Sequence, residues 1–96
     1  MQTIINDKYI PVLKSLNYNI NDVLEEFLLL KVNNKISEYR SKKEFYRNKY
    51  KSNFKEFEKQ INNRLESEKN DEYNDYLAWK FAIESLNYFQ NQIQTI

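Results

Sequence analysis

The chain has 96 residues and a net charge of +1; hydrophobic residues make up 41%, charged residues 30% and aromatics 16%, with one Pro and no Gly, Cys or His. That is enough for one small domain, 1–96, and too aromatic for a chain disordered throughout. Without Cys there is no disulfide scaffold and no thiolate nucleophile; without Gly no P-loop, dinucleotide fingerprint or nucleophile elbow; without His the commonest general base near neutral pH is missing.

The composition therefore points away from an enzyme and implies no cofactor. A zinc site would need carboxylates alone. A many-stranded fold would have to turn on Asn and Asp, because Gly is missing. The expectation is an all-α domain of three to four helices with one long central helix and at most a very short N-terminal strand. Asn is left to serve at the helix C-termini. No basic region precedes an apolar core near the N-terminus. The longest apolar run, Phe27-Leu28-Leu29-Leu30, is far below the ~20 residues of a membrane span. The expected setting is cytoplasmic.

The first segment covers residues 1–21. Residues 1–5 read as a short strand or a frayed end. Asn6 or Asp7 then caps a short helix with Pro11 in its first turn, where Pro is tolerated. Ile10, Leu13 and Leu16 share a face, and Asn17-Tyr18-Asn19 reads as a turn.

The second segment opens at Asn21 or Asp22, where Asp22-Val23-Leu24-Glu25 has capping-box spacing. Helical signals run unbroken to about Tyr50. The apolar row is Leu24, Leu28, Val32, Ile36, Tyr39, Tyr46 and Tyr50, widened in its first half by Val23, Phe27, Leu29 and Leu30. A helix apolar on nearly all sides must be covered on nearly all sides. A 96-residue chain has little else to cover it with, so self-association is expected. The predicted dimer interface is Leu24, Phe27, Leu28, Leu30, Val32 and Ile36.

The third segment starts at Ser52-Asn53, with Asn53-Phe54-Lys55-Glu56 again at capping-box spacing. Phe54, Phe57, Ile61 and Leu65 form its face, and the polar stretch 66–71 closes it. The fourth starts at Asn70 or Asp71. Tyr76, Trp79, Ile83, Leu86, Gln90 and Ile93 step as a heptad seam, flanked by Tyr73, Leu77, Phe81, Tyr88 and Phe89.

Charge is segregated along the chain. Residues 1–30 carry a net −2, residues 31–59 a net +6 and residues 60–96 a net −3. The basic part can face a phosphate backbone, an acidic partner, or the chain's own acidic stretch from Glu66 to Asp75. Arg40, Lys42, Lys43, Arg47, Lys49 and Lys51, interleaved with Phe45, Tyr46 and Tyr50, are the candidate nucleic-acid contacts. A solvated face with inward aromatics accounts for the same run, and the low net charge favours that reading. Asp71, Glu72 and Asp75 read as an N-terminal charge bias rather than metal ligands. Tyr76, Leu77, Trp79, Phe81, Tyr88 and Phe89 are the candidate partner-binding residues, since Tyr and Trp beside charges typify interface hot spots; Trp79 on the seam equally suits the core.

Three stretches follow one another in order: Asn34-Lys35-Ile36-Ser37-Glu38-Tyr39, then Lys49-Tyr50-Lys51-Ser52-Asn53-Phe54-Lys55-Glu56-Phe57-Glu58, then Asp75-Tyr76-Leu77-Ala78-Trp79-Lys80. In these the chain resembles a group of short prokaryotic antitoxin-like proteins. Those carry an "AEY"-like stretch, a "KYGMSFEEFE"-like turn into the next helix and a late "DYxEW" element. The resemblance spans about residues 20–90, and its motifs are structural rather than catalytic. Lys51-Ser52 stand where the pattern has Gly and Met. The resemblance implies the antitoxin of a toxin–antitoxin pair, which dimerises and binds a small toxin. Antitoxins commonly add a DNA-binding part. A ribbon-helix-helix reading of the N-terminus would need a strand at 2–5 and helices at about 7–16 and from 22, but a net −2 over residues 1–30 is unhelpful against phosphate. A nucleic-acid-binding regulator is the alternative expectation.

Overall fold

The computed structural model describes residues 6–63 and 70–96, and among these every regular element is helical. A single 3-10 turn at Asp7–Tyr9 leads into α1 (Ile10–Ser15); α2 (Ile20–Tyr50), α3 (Phe54–Asn62) and α4 (Asn70–Ile93) follow. The expected strand at 2–5, Leu65 at the end of the α3 face, and the polar residues 66–69 lie outside the described residues.

Asn side chains start the 3-10 turn, α2 and α3. Asn6 accepts from the Lys8 amide, Asn19 from the Asp22 amide at 2.8 Å, and Asn53 from the Glu56 amide at 2.9 Å. Each satisfies one of the donors a helix start leaves over. The start of α2 is thus earlier than Asn21 or Asp22. Asn19 is the cap, and Asp22 is the acid three residues on, not the cap itself. At the C-termini the expectation of Asn holds for α1, where Asn17 takes φ 59°, but not for α2. There Lys51 adopts the left-handed conformation, φ 51° and ψ 39°. This is the position at which the resembled pattern carries Gly.

α4 returns antiparallel to α2. Asp75 meets Lys49, Trp79 stacks near Tyr46 at 6.1 Å, and Phe89 stacks on Tyr39 at 6.0 Å. α3 closes one end of this pair. There Phe57, Tyr76 and Trp79 form a buried cluster, with Tyr46, Tyr50, Phe54, Ile61 and Ile83 packed against it. The core is mostly aromatic because rings fill a narrow three-helix end with few side chains. Phe54 stacks parallel to Tyr76 at 5.6 Å, and Tyr50 stacks on Phe57 at 4.2 Å. Such pairs add about 0.5–1.5 kcal/mol beyond their burial. Away from that end only two helices remain, and the seam thins to Ile36, Ala82 and Leu86. Ala82 is fully buried and lets the backbones approach.

The molecule is a rod of 63 × 22 × 21 Å. Its cross-section is about two helix diameters. Running the α2–α4 register on, the last turn of α4 lies level with about residues 32–35 of α2. The first eleven or so residues of α2 project beyond it by about 16 Å. From Val32 onward the predicted α2 row faces α4. Leu24 and Leu28 do not, because α4 does not reach them; they are exposed, as are Phe27 and Leu30.

Candidate interaction surfaces

At the closed end, polar groups pin α4 to its neighbours. Lys49 Nζ donates to Asp75 Oδ2 at 2.6 Å, and the Tyr50 hydroxyl donates to the same oxygen. On the next residue, the Tyr76 hydroxyl donates to Glu58 of α3 at 2.8 Å. Burial raises the Tyr50 phenol, and the bond to Asp75 raises it further. Burial also pulls the Asp75 carboxyl upward, but the hydrogen bonds from Lys49 and Tyr50 and the charge of Lys49 outweigh it, so the group sits below its ordinary value. Lys49 is raised by its bond to Asp75. This is the contact between the chain's own basic and acidic stretches that the charge segregation allowed. Trp79 Nε1, buried beside the cluster, has no hydrogen-bond partner among the described residues.

The six candidate nucleic-acid cations are not gathered on one face. Arg40, Lys43 and Arg47 follow at steps of three and four along one flank of the aromatic row; Lys42 and Lys49, seven apart, lie on the other; Lys51 caps the helix. Lys42 pairs with Glu38, Arg47 with Glu44 and Lys49 with Asp75. Lys43 is partly buried. Phosphate contact would need several of these pairs to break. Among the described residues no group of three or more His, Cys, Asp or Glu is placed to hold a metal.

The candidate partner residues on α4 divide in two. Tyr76 and Trp79 are core residues of the chain itself; Trp79 is 1% exposed and cannot touch a partner while the fold is intact. Phe89 is partly buried against Tyr39. Leu77, Phe81 and Tyr88 are exposed; Phe81, 60% exposed, also meets the Tyr39 ring of α2 edge-on at 5.8 Å. Phe45 of α2 extends this surface, a residue the sequence reading left within the basic run. With Phe81, Ser41, Lys42, Tyr46 and Ala78 it lines an open groove between the two helices. The signal was present in the heptad step from Leu77 to Phe81 to Tyr88 opposite the Trp79 seam.

The candidate dimer residues divide likewise. Ile36 is buried between α2 and α4, so it is core rather than interface, and Val32 is partly buried beside Phe89. Leu24, Phe27, Leu28 and Leu30 remain on the projecting part of α2. Before them in the chain, Tyr9, Ile10, Val12, Leu16 and Tyr18 are exposed too, and the element α1 packs on most is the 3-10 turn before it. No family model matches this chain, and neither a curated protein nor a solved structure is significantly similar to it. Among the described residues no helix is long and apolar enough to cross a membrane.

Proposed function

We propose that this chain is a non-enzymatic interaction module that binds another protein along the outer face of α4, in the role of antitoxin to a small toxin. The observation that carries the reading is the row Leu77, Phe81 and Tyr88, left exposed on a helix whose opposite side holds the core. Large apolar side chains in a row on one face mark interaction sites. The setting rests on the resemblance over residues 34–39, 49–58 and 75–80. The left-handed backbone at Lys51, where that pattern has Gly, supports it. Residues 70–96 carry a net −3. That suits a partner with a positive surface, as an RNA-cleaving toxin would have.

The test replaces Phe81 and Tyr88 together with Ser. Binding to the product of the neighbouring gene and thermal stability are measured separately. Affinity should fall by about tenfold or more, as loss of aromatic anchors does. The melting temperature should stay within a few degrees, because neither ring is buried. A large drop in melting temperature, with binding lost only as the fold is lost, would show that the row is structural and defeat the reading.

A further inference from the structure

We infer that the projecting part of α2, with α1 before it, is an isologous interface that pairs two copies of this chain in parallel. The inference goes beyond partner binding on α4 and does not depend on it, because it concerns the opposite end of the rod and other residues.

The first argument is area. A compact monomer of 11.8 kDa exposes about 5,900 Å². This chain exposes 8001 Å². The excess is about 2,000 Å² per copy, whereas a standard interface covers about 800 Å² per partner and obligate dimers more. The radius of gyration, 20.5 Å, is likewise well above the about 12–13 Å of a compact chain of this length.

The second argument is where the apolar excess lies. Between residues 20 and 30 of α2, Ile20, Val23, Phe27 and Leu30 follow at heptad steps on the side away from α4. Leu24 and Leu28 widen that row. Phe27 and Leu30 are 53% and 57% exposed. The row ends at Asn34, Ser37 and Ser41, which are polar and exposed. The apolar seam is thus confined to the part of α2 that α4 does not cover. Val12 and Leu16 of α1, 55% and 60% exposed, precede it in the chain. Two such seams placed together cover each other.

The third argument is charge, and it selects a second copy over an unrelated chain. Asp22, Glu25 and Glu26 stand at the start of the projection and are in no ion pair among the described residues. Lys31 stands at its other end and leans over the Phe27 ring, 5.3 Å from its centroid. Glu26 lies on one flank of the Ile20–Val23–Phe27–Leu30 row and Lys31 on the other. In an antiparallel twofold pair like flanks meet, acids against acids and lysines against lysines. A parallel, in-register pair brings unlike flanks together and sets Glu26 beside the partner's Lys31 at both edges of the seam. The surface is complementary to itself in that direction, as an isologous contact requires.

The experiment is sedimentation equilibrium on the full chain, with Trp79 fluorescence as the report on the fold, since this sole tryptophan lies in the distant core. The wild type should sediment at twice 11.8 kDa. Phe27→Glu with Leu30→Glu should sediment as a monomer with unchanged Trp79 emission. Phe81→Ser with Tyr88→Ser should remain a dimer, which separates this inference from the partner reading. Glu26→Lys should weaken the dimer several-fold, and adding Lys31→Glu should restore it. A wild type that stays monomeric at hundreds of micromolar overturns the inference. So does a dimer indifferent to Phe27 and Leu30, or one abolished by the changes on α4. If the Phe27 and Leu30 variant fails to fold, Leu24→Glu with Val12→Glu takes its place under the same readings. A dimer unmoved or tightened by Glu26→Lys overturns the parallel direction.

Discussion

At Lys51 a single backbone dihedral sets the end of α2. A residue with a Cβ in the left-handed region crowds its own carbonyl, at about 1–2 kcal/mol. Asn tolerates the same region by local hydrogen bonding, which accounts for Asn17; Lys has no such compensation. Lys51→Gly should therefore stabilise the fold by about 1 kcal/mol, after allowance for the extra freedom of Gly in the unfolded chain. Thermal melts should show a rise of about 4–8 °C. A fall would mean that the Lys51 side chain, and not its backbone, secures the turn. Sequence spacing showed where α2 ends, but not which residue would turn left-handed. That choice follows from α3 having to fold back onto Trp79, a contact between residues distant in sequence.

Individual helices were legible because each has its own period. The Asn53 cap, the Phe54–Phe57–Ile61 face and the Tyr76–Trp79–Leu86 seam are local patterns, and the structure places them as read. Pairing between helices was less legible. The link from the end of α2 to the start of α4 runs through one carboxylate, Asp75, that receives Lys49 and Tyr50 together. Its pKa is depressed in the fold. Its contribution is therefore complete above the ordinary carboxylate value of 3.8, and is lost as pH falls through the lower folded value. Lys49 and Tyr50 are raised, so theirs is complete below about pH 10 and is lost as pH rises through the folded values. Urea titrations from pH 2 to 11 should show both limbs. Asp75→Asn should flatten the acid limb, and Tyr50→Phe should reduce the alkaline one. Unchanged limbs in both variants would place the pH dependence in other groups.

For the whole molecule, what leaves part of α2 uncovered is a difference in length. α2 has 31 residues and α4 has 24, and the α3 end fixes their register, so the surplus emerges at the other end. Neither periodicity nor composition encodes that offset. This is why Ile36 and Leu28, both on one predicted row, end up in the core and on the surface. The offset has a dynamic consequence. Helical residues held by tertiary packing open only with the core, whereas an unpacked helix of about eleven residues is marginal in water and frays. Hydrogen exchange should then divide α2 in two. Amides from about 36 to 50, opposite Trp79 and Leu86, should exchange slowly at any protein concentration. Those from about 20 to 30 should exchange fast in dilute protein and slow progressively as concentration rises, because association with a second copy supplies their missing packing. In the Phe27→Glu, Leu30→Glu variant the second group should stay fast at every concentration while the first is unaltered. Uniform slow exchange from 20 to 50 in a sample shown to be monomeric would mean that the projection is held from within the chain, and the apolar residues on it would then need no second copy to explain them.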